Sequence, residues 1–140
     1  MRAAGVDLGT VRVGLAVADE LGLLAHPRPH LGGKDVGRLV RELADLAASE
    51  GIDVFVVGLP RRLDGSEGPE ARRARRFAES LRQKSGRTVV LWDEWLTTKE
   101  AAARLRDRGL SEKEARSRVD SEAAAVLLQG YLDARRTEEP

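Results

Sequence analysis

RAAGVDLGTVRVGLAVAD, residues 2–19, is the stretch on which the fold turns. Two short apolar runs, 2–8 and 13–19, flank Gly9-Thr10-Val11-Arg12, so the stretch reads as two buried strands joined by a turn that a glycine opens. The first run closes on Asp7. A lone carboxylate at the end of a buried strand is costly to desolvate unless it is paired, hydrogen-bonded or bound to a metal. The plain structural explanation is an aspartate shaping the turn into Gly9. Gly9 and Gly14 strengthen the chemical reading, since glycines let a ligand approach the backbone closely.

Working outward, residues 22–31 form a third strand that Pro27 and Pro29 confine to a sheet edge or a partly irregular course. Val36, Leu39, Val40, Leu43, Leu46 and Ala47 recur at helical spacing, which predicts an amphipathic helix over 35–49 closed by Gly51. Val54-Phe55-Val56-Val57 is a continuous apolar run, as in a strand covered on both faces. Gly58–Pro69 is rich in glycine and proline and reads as a loop, with Pro69 in the first turn of a helix reaching about Lys84. Thr88–Trp92 is a further strand, expected to be buried, that stops at Asp93-Glu94. Thr97 and Glu100 have capping-box spacing for a helix over 98–108, which Gly109 ends, and a short segment of mixed charge follows. Ala123, Val126, Leu127 and Tyr131 mark a last helix over 119–135.

Three strands in an antiparallel meander, followed by alternating helices and strands, predict one α/β domain over 1–136 with a frayed tail at 137–140. Its core is a five-stranded mixed sheet flanked by helices. A chain of 140 residues with 41% hydrophobic content can bury such a core unaided. There is no cysteine, which excludes disulfides, thiolate metal sites and a cysteine nucleophile. No basic start leads into a long apolar run and no stretch is long enough to span a bilayer, so a soluble, cytoplasmic protein without membrane association is expected.

Net charge is only +1, yet its distribution is uneven. Between Pro60 and Arg87 nine basic residues (Arg61, Arg62, Arg72, Arg73, Arg75, Arg76, Arg82, Lys84, Arg87) face four acidic ones. A solvated helix face explains such a run, and so does a footprint for a phosphate backbone. The four arginines at 72, 73, 75 and 76 span more than a helical turn, so no more than two or three reach one substrate.

Three acidic positions stand out together: Asp7, the Asp93-Glu94 pair at the end of another strand, and Asp120 at the start of the last helix. Each has an ordinary explanation, and Asp120 has a strong one, because Ser117 and Asp120 have capping-box spacing and an acid suits the helix dipole. Their convergence at strand ends and a helix start in one small domain points to hard-cation chemistry. Clustered carboxylates bind Mg²⁺ or Mn²⁺, and two such ions serve phosphodiester hydrolysis. His26 and His30 lie beside prolines without a metal-ligand context, and no Ser–His pairing competes.

These residues resemble the YqgF (RuvX) family, associated with Holliday-junction resolution and with nucleolytic processing of pre-16S rRNA. The resemblance runs through Gly5-Val6-Asp7-Leu8-Gly9-Thr10 with Gly14, Val57-Gly58-Leu59-Pro60, Asp64-Gly65, Asp93-Glu94, Leu96-Thr97-Thr98 and Val119-Asp120-Ser121-x-Ala123-Ala124. It implies a ribonuclease H-like fold, divalent-metal dependence, and catalytic and metal-holding acids at Asp7, Glu94 and Asp120. The choice of Glu94 over Asp93 rests on it alone. Two departures matter. Trp95 stands where the family usually has arginine, either packed or stacked on an unpaired base. The fourth strand ends in Val57-Gly58-Leu59-Pro60 with no acid, which leaves Glu94, or in second place Asp64, to supply the second carboxylate.

The expected partner is nucleic acid, either pre-rRNA or branched or single-stranded DNA. Its contacts would come from Thr10, Arg61, Arg62, Arg72, Arg73, Arg75, Arg76 and Lys99. A monomer suffices for rRNA processing, whereas a two-fold symmetric four-way junction requires a homodimer. A binding module, an adaptor in ribosome assembly, is the alternative. Asp7-Leu8-Gly9-Thr10 also resembles the phosphate-binding hairpin of the sugar kinase, Hsp70 and actin superfamily. Those proteins enclose ATP between two such domains, and this chain has room for one.

Overall fold

A computed structural model of the chain describes residues 1–93 and 112–138, with side chains described for 1–93 and 121–136. The expected helix over 98–108, its Thr97–Glu100 cap, Gly109, Glu94, Trp95 and Lys99 lie outside the described residues.

Five strands form one sheet: β1 (Ala3–Asp7), β2 (Arg12–Ala18), β3 (Ala25–Gly32), β4 (Val54–Leu59) and β5 (Thr88–Asp93), in the order β3-β2-β1-β4-β5. The pairs β1–β2 and β2–β3 are antiparallel, and β1–β4 and β4–β5 are parallel. Strand β3 takes an edge because Pro27 and Pro29 lack the N–H that a second neighbour would need. Strand β4 lies between β1 and β5 and is buried along its whole length, as its unbroken apolar run requires.

Strand β5 departs from expectation. Among the described residues it is the other edge of the sheet, and Val89 to Trp92 are half-buried where the sequence predicts full burial. An apolar run shows that both faces meet other elements, but it does not reveal a missing lateral neighbour.

Helices α1 (Val36–Glu50) and α2 (Pro69–Ser85) cover one face of the sheet, and helix α3 (Glu112–Glu138) covers the other. The Asp35 carboxylate caps α1 by accepting from the Arg38 N–H at 3.1 Å, and Gly51 ends it in a left-handed conformation at φ 68°. Pro69 opens α2 behind Gly68, and Gly86 closes it at φ 70°. Helix α3 begins at Glu112, seven residues before the position that apolar periodicity predicts. Residues 112–118, EKEARSR, are mostly strong helix formers without an apolar stripe, so propensity and not amphipathic pattern extends the helix there.

The two faces differ in bulk. Leu39, Leu43, Ile52, Phe55, Phe77 and Leu81 fill the core beneath α1 and α2. Beneath α3 the sheet contributes chiefly Ala3, Ala16, Ala18, Val54 and Val56, met by Ala124, Ala125, Leu127 and Leu128.

Candidate active site

Asp7 ends β1, half-buried, directly across from Gly14 of β2. The three parallel strands β1, β4 and β5 finish at this same end of the sheet. Val6 pairs with Val57, and Leu59 with Asp93, so Asp7, the Gly58–Leu59 pair and Asp93 succeed one another along its rim. Ligand sites of open α/β sheets form beyond the carboxyl ends of their strands.

The turn after Asp7 is tightly made. A Cβ on Gly9 would sit 2.1 Å from the Arg12 carbonyl oxygen, so this position excludes a side chain. The crowding comes from the hairpin's own backbone, and Gly9 is accounted for without a ligand. The Gly33 N–H donates to the Val11 carbonyl at 2.8 Å, and Arg73 of α2 donates through Nη2 to the Gly9 carbonyl at 2.7 Å. The segment that follows the carboxylate is therefore held from both flanks.

Period-two alternation places Ala3, Gly5 and Asp7 on the face that α3 covers. At Gly5 the approach is so close that a Cβ would lie 2.9 Å from both the Ala124 carbonyl oxygen and the Leu128 Cβ. Farther along, Leu132 and Arg135 share a cleft with Met1 and Ala3, so α3 runs antiparallel to β1. Asp120 lies within α3, one turn before Ala124, and its side chain lies outside the described ones. Two residues beyond it, Glu122 is only 1% exposed, beside buried Ser121. Reading the sequence did not single out this carboxylate. Its signal was an acid inserted into Ser121-Glu122-Ala123-Ala124-Ala125, where apolar neighbours announce burial.

The expected nucleic-acid contacts separate into groups. Thr10 is exposed on the β1–β2 turn. Arg73 and Arg76 line a cleft of about 300 Å³ with Leu8, Val36, Phe77 and Ser80, beside that turn. Arg72 is exposed. Arg75 turns to Glu67 in a bidentate pair, both contacts at 2.7 Å, which holds the Glu67 carboxyl below its ordinary range. Arg61 donates through Nε to Asp93 at 2.7 Å and through Nη1 to the Gly65 carbonyl at 3.1 Å. Arg62 lies across Gly68, where a Cβ would meet its Nε at 2.7 Å. Asp64, the second-choice ligand, accepts from the Ser66 N–H at 2.9 Å and from its hydroxyl at 2.6 Å, contacts that lower its pKa. Among the described residues no three acidic or histidine side chains cluster as a metal site, and the trio of Asp7, Glu94 and Asp120 extends beyond them.

The family model for RuvX, described as Holliday junction resolvase, matches residues 1–134. The chain belongs to that family. Curated relatives carry names that make them candidate pre-16S rRNA nucleases. One from Anaeromyxobacter sp. (strain K) is 49% identical over 135 residues, covering 96% of this chain and 98% of its own. Another from Geobacillus kaustophilus is 41% identical over 140 residues, covering 97% and 100%. Among solved structures, T. thermophilus RuvC in complex with a Holliday junction superposes with a TM-score of 0.60 at 20% identity, over 97% of this chain and 96% of that one. The fold is thus ribonuclease H-like, and the family gives the chain a nuclease role. No helix among the described residues is long and apolar enough to cross a membrane.

Proposed function

We propose that this chain is a divalent-metal-dependent endonuclease acting on structured nucleic acid, with Asp7, Glu94 and Asp120 as its catalytic acids and the 5′ region of pre-16S rRNA as its leading substrate. The observation that carries the reading is the half-buried Asp7 at the rim, with α3 laid antiparallel against its strand. From Gly5 to Asp7 the strand advances roughly 7 Å. From Ala124 back to residue 120 the helix retreats roughly 6 Å. That puts the backbone of residue 120 at about the level of residue 7, which supports pairing the two acids in one site. Asp93 is on the opposite face, by alternation with Leu91, and its carboxylate is engaged by Arg61. Of the Asp93-Glu94 pair, that favours Glu94 for the site.

An all-carboxylate set without imidazole or thiolate suits hard cations such as Mg²⁺ or Mn²⁺. Bound there, a pair of such ions supplies Lewis acidity and an activated water for in-line hydrolysis of a phosphodiester, with 5′-phosphate and 3′-hydroxyl products. The protein's own part is to hold Asp7 rigidly, through Gly9 and Arg73, and to steer the backbone of the substrate with Arg72 and Arg76. The names of the relatives favour pre-16S rRNA. The family description favours a four-way junction, which would bring two copies of the site together.

The test is gel-resolved cleavage with Mg²⁺ or Mn²⁺ of a precursor rRNA 5′ fragment, a four-way DNA junction and single-stranded DNA, with Asp7→Asn as control. Loss of an outer-shell partner typically costs about 10–100-fold, so losing a direct ligand should cost at least about a hundredfold. The melting temperature should stay in place. Undiminished metal-dependent cleavage by Asp7→Asn would overturn the assignment. Metal-independent binding with no cutting by the wild type would favour an adaptor.

A further inference from the structure

The loop between β4 and α2 carries a feature that the catalytic reading leaves unused. Leu63 is 94% exposed, more than any other large hydrophobic residue among the described ones. It does not sit on a slack segment. The Gly65 N–H donates to the Arg62 carbonyl at 2.8 Å and the Arg62 N–H to the Ser66 carbonyl at 2.9 Å, closing a tight turn with Leu63 and Asp64 at its tip. Gly65 adopts φ 86°, a conformation that favours glycine. Asp64 clasps Ser66 through two hydrogen bonds, and Arg61 ties the turn to the end of β5 through Gly65 and Asp93. An apolar side chain is thereby held out in water by a hydrogen-bonded scaffold, directly after two arginines.

We propose that Leu63 is a wedge that enters the base stack where a duplex opens into separate strands, and so sets which phosphodiester reaches Asp7. Nucleic-acid-binding proteins kink or part base steps with single apolar side chains of this kind, flanked by cationic groups on the backbone. A protein partner fits less well, because stable interfaces need an apolar area far larger than one leucine. Position supports the inference. Val57 pairs with Val6, so the loop leaves the rim beside Asp7. Five residues from Gly58 to Leu63 plus one strand spacing bring the tip within roughly 20 Å of the end of β1, about six base steps at 3.4 Å each. The proposal deepens the nuclease reading and rests on it for the consequence at the scissile bond, but not for the insertion itself.

The experiment places 2-aminopurine at the base step beside the branch of forked DNA and of forked RNA. Fluorescence is read at saturating protein in an Asp7→Asn background, where turnover does not intervene. The insertion should raise fluorescence severalfold with Leu63 present; Leu63→Ser should abolish most of that rise and Leu63→Met retain it. In the otherwise wild-type chain, Leu63→Ser should lower the ratio of forked to linear cleavage about tenfold, because no apolar side chain then offsets the unstacking of the parted base step. The cuts should fall within about six nucleotides of the branch. Which fork responds identifies the nucleic acid. An unchanged fluorescence rise and cleavage ratio in Leu63→Ser would overturn the wedge while leaving the nuclease intact. A Leu63-dependent rise in a protein that cuts nothing would sustain the wedge and sink the nuclease. Equal loss of binding to linear and forked strands would reduce Leu63 to a general contact and also overturn the proposal.

Discussion

The two faces of the sheet solve different problems with the same strands. In β2, Val13, Leu15 and Val17 point to α1 and α2, while Gly14, Ala16 and Ala18 point to α3. Strand β1 repeats the division, with Ala4 and Val6 on one side and Ala3 and Gly5 on the other. The bulky face buries most of the large side chains and interlocks them, which is where hydrophobic stabilisation is greatest. The small face brings helix backbone against strand backbone, so little burial is gained per residue but the helix is fixed in place. Asp7 belongs to the small face. Stability and positioning are thus separated across a single sheet.

The sharpest way to break that division is to damage each face and compare stability with specific activity. Phe55→Ala, in the bulky core and fully buried, should cost about 3–5 kcal/mol in chemical denaturation. Cleavage per folded molecule should be preserved. Gly5→Ala should cost less, about 1–3 kcal/mol, because the added Cβ meets Ala124 and Leu128 at 2.9 Å and α3 must shift. Its specific cleavage should nevertheless fall further than that of Phe55→Ala, since the shift separates the helix from the strand that carries Asp7. The reverse ranking in specific activity would refute the idea that the small face is the positioning one.

Much of this is legible in the sequence alone. The order of the strands and helices among the described residues is legible in the apolar periodicity, and the edge position of β3 and the central position of β4 in Pro27, Pro29 and the unbroken run at Val54. Three features were not legible, each for a physical reason. Strand β5 has an apolar sequence that is the same whether or not a sixth strand pairs with it. The early start of helix α3 rests on propensity, which leaves no periodic trace to read. Arg73 and Arg75 are indistinguishable as arginines in a basic run, yet one secures the Gly9 turn and the other pairs with Glu67, assignments that only three-dimensional neighbours make. Of the proposed catalytic acids, Asp7 is legible through its place at a strand end, whereas the burial of Glu122, which no role here explains, is hidden inside an alanine run.

A finer test lies at the end of the sheet away from Asp7. Glu50 closes α1, where the helix dipole disfavours a carboxylate. Arg28 of β3 answers it with two contacts at 3.1 and 2.7 Å, while Arg2 donates through Nη1 to the Glu50 carbonyl at 2.9 Å and through Nε to the Ala18 carbonyl at 3.2 Å. The hydrogen bond from Arg28 is the chief cause that holds the Glu50 pKa below the ordinary carboxylate range. A carboxyl lowered in the folded state binds fewer protons there than when unfolded. Its contribution is therefore present above the unfolded carboxylate pKa and is lost as pH falls through the lowered folded value. Glu50→Gln should cost under about 1 kcal/mol near neutrality, as expected of a partly exposed pair. The difference from wild type should close in acid, which parallel urea titrations would read. Specific cleavage should not change, because these contacts fasten the bulky layer to β3, two strands from β1 and on the opposite face of the sheet from Asp7. A fall in cleavage without a fall in stability would show that the site end feels the far end through the sheet, and the separation of roles would then be incomplete.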